Sequence, residues 1–373
     1  MKIVFLSNYY NHHQKSISLS FDRLTRHQYQ FIETSVITEE RKQMGWGEQV
    51  IPDFVVPFSQ EFVDEAEVVM LGSAPIETIE DRLLQGKLTF LYTERLFKQG
   101  YQIWKWPIRV IRFWQRYTRH KEFYLLSASA YTAYDFGKHY AFQNKAYKWG
   151  YFPETKHYDI AQLLSQKKKT KILWCGRFID WKHPDDVIEV AKRLKQQGYS
   201  FDLDMIGVGE MEATMRDLID QYQLSDCVHL LGAMKPEEVR THMEEAGIYL
   251  FTSDFNEGWG AVLNESMNSG CAVVASHAIG SVPFLMKHKE NGLIYQNGNL
   301  DDLFKKVKYL LDHPSEQERM GRQAYHTIVD LWNAEVAAER FLRLAEYIKD
   351  HGYCDLYQDG PCSPAPIIKN YWF

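Results

Sequence analysis

The chain has 373 residues, a formal net charge of -6 and 14% aromatic residues. That length exceeds what one hydrophobic core usually fills, so two domains are expected. The mild acidity gives no overall drive toward nucleic acid, and no run approaches the ~20 apolar residues of a membrane span. Cys175, Cys227, Cys271, Cys354 and Cys362 are too scattered for a disulfide framework or a zinc site.

Residues 1–6 (Met-Lys-Ile-Val-Phe-Leu) enter a strand directly, without the basic-then-apolar pattern of a secretory signal, which gives a cytoplasmic expectation. Strands are then predicted at 3–7, at 31–38 or 50–57, and at 68–72, where Val-Val-Met-Leu-Gly reads as a parallel strand buried on both faces. The pattern repeats at 88–93 and 123–128. Between them, segment 98–121 carries Lys98, Lys105, Arg109, Arg112, Arg116, Arg119 and Lys121 with no acidic residue. Trp104, Trp106, Ile108, Ile111, Phe113, Trp114 and Tyr117 are interleaved with them. Pro107 suits a helix start, and Arg109, Arg112 and Arg116 repeat at helical spacing. Two readings stand for this helix: it lies on an anionic membrane surface, or its aromatic face packs onto its own domain with the arginines in water.

A polar stretch ending in Lys167-Lys168-Lys169 places a domain boundary within 150–169. Beyond it the alternation is cleaner. Strands at 172–176, 201–206, 228–231, 249–252 and 272–276 alternate with helices at 184–197, 210–222, 237–245, 260–269, 300–312, 315–329 and 332–348. Short apolar strands joined by crossover helices make a doubly wound α/β domain with a parallel sheet. Ligands of such sheets bind past the carboxyl ends of the strands.

Several residues fall on that edge. Phe255-Asn256-Glu257-Gly258-Trp259-Gly260-Ala261-Val262-Leu263-Asn264-Glu265 sets two carboxylates around a glycine turn that opens a helix. Amides at such a turn lack intrahelical partners and suit a phosphate. Carboxylates beside a phosphate site need a separate task, and holding sugar hydroxyls is one. Glu257 and Glu265 also admit an acid/base pair of the glycoside-hydrolase kind, against which the phosphate-binding features argue. Arg177 and Lys182 share a strand-to-helix loop, where a planar fork and a point charge would flank a diphosphate; as isolated residues they also read as surface charges. Gly207-Val208-Gly209-Glu210 lacks a third glycine and a Lys-Ser or Lys-Thr end, so it is neither a dinucleotide fingerprint nor a P-loop. It fits a tight turn or a close approach to ligand. Asp202-Leu203-Asp204 lies inside a predicted strand and gives no metal site.

Taken in order, Gly176-Arg177-Phe178 with Lys182, Gly207-Val208-Gly209-Glu210, Leu231-Gly232-Ala233-Met234 with Glu238, Ser253 with Glu257-Gly258-Trp259-Gly260, Glu265-Ser266-Met267 with Gly270, and Gly280-Ser281-Val282-Pro283 resemble the donor domain of the family-4 glycosyltransferases. The resemblance covers roughly 170–345 and is weak over 1–150. It implies a GT-B fold, with two doubly wound Rossmann-like domains facing across a cleft. An acceptor-binding domain would span 1–155, completed by the tail 346–373, and a nucleotide-sugar domain 156–345. The implied activity is retaining transfer of a hexose-like unit from a nucleoside diphosphate sugar to a hydroxyl, in envelope polysaccharide or glycolipid synthesis. No metal or other cofactor is expected.

By position, the resemblance assigns Arg177 and Lys182 to the diphosphate, Glu265 to the ribose and Glu257 to the transferred sugar. Gly258, Gly260 and the amides of Trp259, Ala261 and Val262 would meet phosphate or sugar; Gly207 and Gly209 would approach the ligand, with Ala233 and Met234 bordering the base. The family's glycine-rich first loop is replaced by Asn8-Tyr9-Tyr10-Asn11-His12-His13-Gln14, and Thr93-Glu94-Arg95 stands where many members carry a histidine. Glu94, His12 and His13 are therefore alternative contacts to the sugar. The aromatic end Tyr371-Trp372-Phe373 is expected to pack on the first domain. Rival readings are a nucleotide-sugar epimerase or phosphorylase of the same fold, and a non-catalytic nucleotide-sugar-binding protein.

Overall fold

A computed structural model describes residues 1–38, 50–98 and 100–373, so Gln99 of the basic segment lies outside it. The chain forms two compact units, Met1–Glu154 with Leu331–Trp372, and Thr155–Asp330.

In the first unit, strands β1 (Ile3–Ser7), β2 (Tyr29–Glu33), β3 (Val55–Pro57), β4 (Val68–Leu71), β5 (Thr89–Thr93), β6 (Phe123–Ser127) and β7 (Ala146–Lys148) pair in parallel in the order β3-β2-β1-β4-β5-β6-β7. All five residues of β1 are buried, as expected where helices cover both faces. The order reverses between β1 and β4, which opens a crevice at their carboxyl ends. The His12–Leu24 helix starts there, its first turn capped by Asn11 Oδ1 accepting from the His13 amide at 2.9 Å.

The chain re-enters this unit at Leu331, ahead of the position near 346 expected from sequence. The reason is packing. On the Ala334–His351 helix, Phe341 is fully buried, with its ring 5.4 Å from Phe21, 4.9 Å from Phe90 and 5.8 Å from Trp149. The tail then runs antiparallel to β7, with the amides of Lys148 and Ala365 donating to Ser363 and Ala146 carbonyls at 2.8 and 2.9 Å. Of the terminal rings, Trp372 is held by Nε1 donating to Tyr131 Oη at 2.9 Å, whereas Tyr371 is exposed.

Arg82 is a buried clasp in the same unit. Its guanidinium donates to the carbonyls of Val63, Ala66, Glu67 and Leu88 and to Thr89 Oγ1, at 2.7 to 3.1 Å. Burial lowers its pKa to about 10. These acceptors lie at the end of the Gln60–Glu65 helix, before β4 and at the start of β5, so one side chain ties a helix end to two strand starts.

The basic segment folds as a short turn (Ile103–Lys105), a helix (Trp106–Phe113) with Pro107 in its first turn, and a π-turn (Trp114–Thr118). Phe113 and Tyr117 pack against Phe136 at ring distances of 5.7 and 5.3 Å.

The second unit has β8 (Lys168–Cys175), β9 (Asp202–Ile206), β10 (Val228–Gly232), β11 (Ala246–Phe251), β12 (Ala272–Ser276) and β13 (Leu293–Tyr295), all parallel, in the order β10-β9-β8-β11-β12-β13. Ile172, Trp174, Leu203, Met205, Ile248, Leu250 and Val274 form the core between sheet and helices. Lys168 and Lys169 begin β8, so the lysine run read as linker is partly strand. The three-residue β13 escaped sequence reading, because Leu-Ile-Tyr is too short to show a period. The order reverses between β8 and β11. That places the loops bearing Arg177, Lys182 and Glu257 side by side.

Candidate functional site

Two loops meet at this reversal in the second unit. After β8, Arg177 is exposed and Lys182 closes the single turn Asp180–Lys182. The loop is fixed to its neighbour beyond β11: Trp174 Nε1 donates to Thr252 Oγ1 at 2.9 Å, Thr252 Oγ1 donates to the Lys182 carbonyl at 2.6 Å, and the Asp254 amide donates to the Trp181 carbonyl at 3.0 Å. Lys182 is thereby presented with its ammonium over the Trp181 ring, 4.9 Å from the centroid.

Lys182 and Glu257 form an ion pair at 2.7 Å, with side chains only 13% and 12% exposed. The same Glu257 oxygen accepts from Ser253 Oγ at 3.0 Å. Glu257 is thus held by a cation and a hydroxyl, in the sheltered geometry that makes a charge-assisted bond short and strong. The two residues that sequence assigned to different parts of a ligand are bonded to each other.

Glu265 has a different environment. It lies in the first turns of the Val262–Asn268 helix, and burial raises its pKa while the charge of Arg240 opposes the rise. Among the described residues its carboxylate accepts no hydrogen bond from a protein group. The Cys175 thiol, at the end of β8, is pushed up to about 12 by burial and by the Glu265 charge, against the pull of Lys182. Glu265, Cys175 and Lys182 therefore share one electrostatic neighbourhood. Arg240 is itself tied to Asn268 Oδ1 and to Tyr158 Oη.

The turn ahead of this helix depends on Gly260, whose φ is +80° and whose Cβ, if present, would stand 2.3 Å from the Phe251 ring. Gly258 is buried; Ala261 and Val262 are half-buried as the helix begins. The Trp259 indole faces the core: it is 1% exposed, its Nε1 donates to Asn264 Oδ1 at 2.9 Å, and its carbonyl accepts from Ser281 Oγ at 2.6 Å. Only its backbone remains a candidate for ligand contact. Gly207 and Gly209 are explained by the chain's own backbone: a Cβ would lie 1.9 Å from the Gly176 oxygen and 2.4 Å from the Phe178 oxygen. Close approach is real there, and the backbone approached is that of the loop following β8. Past β10, Ala233 is exposed and Met234 half-buried. Asp204 is paired with Lys171 at 2.8 Å, and no group of three or more His, Cys, Asp or Glu is placed to hold a metal among the described residues.

The first unit has its own cavity at the β1/β4 reversal. It measures about 280 Å³ and is lined by Ser7, Gln14, Ser73, Thr93, Glu94 and Tyr151, among others. Glu94 accepts from Tyr151 Oη at 2.7 Å and pairs with Lys98 at 2.6 Å. Next to it in sequence, Arg95 turns inward to the buried Asp135. The His13 ring stacks on Tyr151 with centroids 5.5 Å apart, and His12 lies against His13 at 3.9 Å. Tyr151 thus joins Glu94 and His13, although neither histidine lines the cavity. Burial, then the neighbouring His12, lowers the His13 pKa to about 3, which favours the neutral ring at physiological pH. Thr252, Tyr151, Gln14 and Ser73 escaped sequence reasoning. The available signal was a polar residue at the end of a buried apolar strand, directly after it at Thr252 and one glycine beyond it at Ser73.

Residues 156–327 match the glycosyl transferases group 1 family. The second unit is a glycosyl transferases group 1 domain. Among curated proteins, the amylovoran biosynthesis glycosyltransferase AmsK of Erwinia amylovora is 32% identical over 161 residues, 42% of this chain and 39% of that protein. The trehalose synthase of Pyrococcus horikoshii is 27% identical over 202 residues, 51% of this chain and 48% of that protein. The chain thus spans about half or less of the curated relatives it matches, and the likeness centres on the glycosyl transferase domain. Whole-chain likeness comes from solved structures. A glycosyltransferase from Rickettsia africae superposes with a TM-score of 0.68 at 13% identity, covering 94% of this chain and 98% of that one. HepE of Anabaena, solved with UDP, gives 0.67 at 13% identity over 92% and 99%. At such identity the likeness shows the fold: two Rossmann-like units in one chain, the GT-B fold.

Proposed function

We propose that the protein is a retaining glycosyltransferase that moves a hexose-like unit from a nucleoside diphosphate sugar to a hydroxyl. The acceptor is a saccharide or a lipid-linked saccharide presented at a membrane surface, in envelope polysaccharide or glycolipid synthesis. The observation that carries this reading is the contrast between the two carboxylates at the β8/β11 reversal. Glu257 is bonded by Lys182 and Ser253, whereas Glu265 is raised in pKa by burial and its carboxylate accepts nothing from the described residues. A half-buried carboxylate without a donor suits a ligand that brings its own hydroxyls, and a ribose brings two.

In this reading Arg177 and Lys182 stabilise the charge that grows on the departing diphosphate, which is where preorganised electrostatics accelerates most. The ammonium of Lys182 has three donor positions and uses one on Glu257. It can therefore hold the carboxylate and a phosphoryl oxygen together and place Glu257 beside the transferred sugar. The cavity of the first unit, with Glu94 and Tyr151, is the assigned acceptor side. Relatives named as glycosyltransferases, and a fold neighbour solved with UDP, support the substrate class.

Two results test the donor half. A matching nucleotide sugar at about a hundred times its Kd should stabilise the folded chain by about 2.7 kcal/mol, and a thermal-shift series over UDP-, GDP- and dTDP-sugars will show which base is taken. No shift with any of them would overturn the reading. Glu265→Gln should weaken donor binding about a hundredfold, since bonds to a charged acceptor contribute about 1.5–3 kcal/mol each; unchanged affinity by calorimetry would remove Glu265 from the ribose. Stabilisation without transfer to any acceptor would favour the non-catalytic binding protein.

A further inference from the structure

Around the Trp106–Phe113 helix two faces are differently employed. Phe113 and Tyr117 turn inward onto Phe136. Trp104, Ile108, Ile111 and Trp114 remain 71%, 58%, 60% and 54% exposed. At about 100° per residue, Ile108, Ile111 and Trp114 follow one another along one outward stripe, with Arg112 and Arg116 on its flank. A helix serving only its own domain would turn this stripe inward. A contiguous exposed apolar row instead marks an interaction surface.

The surrounding charge identifies the partner. Lys105, Arg112, Arg119 and Lys121 meet no carboxylate among the described residues, while Arg116 pairs with Glu77 at 3.1 Å. Arg112, Arg116 and Arg119 line a hollow of about 370 Å³ together with His120, Glu77 and Glu80. Unneutralised cations are gathered here in a chain whose net charge is -6. Tryptophans at both ends of an isoleucine stripe suit the depth of lipid headgroups, and flanking cations suit their phosphates.

We propose that this face docks on an anionic phospholipid bilayer. Ile108 and Ile111 enter the acyl boundary, Trp104 and Trp114 lie at headgroup level, and Lys105, Arg112, Arg119 and Lys121 meet lipid phosphates. No helix among the described residues is long and apolar enough to cross a membrane, so the contact is interfacial. The proposal deepens the membrane-borne acceptor of the reading above and rests on that part of it alone.

Flotation of the full chain with vesicles of phosphatidylcholine, alone or mixed with phosphatidylglycerol, tests it. The chain should float with the mixed vesicles, much less with phosphatidylcholine, and less again as salt rises. Arg112→Ala with Lys121→Ala should weaken binding about thirtyfold, from about 1 kcal/mol per cation. Ile108→Ser with Ile111→Ser should abolish it. All four side chains are exposed, so an unchanged melting temperature will show the variants folded. No flotation with mixed vesicles would overturn the proposal, as would flotation indifferent to both double variants. So would a self-association of the chain that these variants abolish while no vesicle binds. Donor-induced thermal stabilisation of the same preparations separates the two readings. Its loss with flotation intact counts against the donor site, and the converse counts against the docking face.

Discussion

Lys182→Ala should lower nucleotide-sugar-dependent transfer about a thousandfold, equivalent to roughly 4 kcal/mol of transition-state stabilisation. The geometry raises a competing explanation that the experiment must separate. Removing Lys182 also leaves Glu257, 12% exposed, without its counter-ion, and an unpaired sheltered charge disturbs its surroundings by itself. Glu257→Gln in the Lys182→Ala background removes that charge while keeping the shape. If Lys182 serves only to neutralise Glu257, the double variant recovers transfer. If its ammonium meets the diphosphate, the double variant stays inactive and kcat, rather than KM alone, carries the loss. Transfer within a few fold of the parent in Lys182→Ala would overturn the assignment outright.

Arg82→Met should destabilise the first unit by about 4 kcal/mol, because breaking a buried, fully bonded charge leaves its partners unsatisfied. Four carbonyls and Thr89 Oγ1 lose the guanidinium at once, and of these the Leu88 carbonyl keeps the Val69 amide at 3.3 Å. Methionine keeps much of the volume, so the effect reads the hydrogen bonds more than a cavity. For a unit of this size the melting temperature should fall by roughly 10 °C. A fall under about 2 °C would mean that water or relaxed backbone serves these carbonyls instead. Donor affinity, measured below the transition, should be unchanged, since Arg82 and the β8/β11 loops are in separate units.

Fold class was legible because a parallel sheet buried on both faces writes itself as short apolar runs. All five residues of β1, all four of β4 and all six of β11 are buried. Strands that depart from the rule were harder to see. Val55–Pro57 is half-exposed, and Leu293–Tyr295 is too short for a period. The return of the chain to the first unit at Leu331 was misplaced because the Ala334–His351 helix has an ordinary amphipathic pattern. Nothing local in such a pattern says which sheet its apolar face will cover.

The site divides in the same way. By itself the sequence determined the strand-to-helix loops, the glycine turn at Gly260 and which residue types stand on them, since backbone sterics and burial periods are local properties. Only the tertiary structure decided who meets whom. It brought Lys182 to Glu257 across 75 positions, left Glu265 without a donor among the described residues, turned the Trp259 indole into the core, set the loop after β8 against Gly207 and Gly209, and joined Glu94 to Tyr151. The contacts between loops arise from strand order: β8 lies between β9 and β11, and β5 and β7 flank β6. Strand order is set by the burial of whole faces, a long-range sum that no single stretch of residues contains.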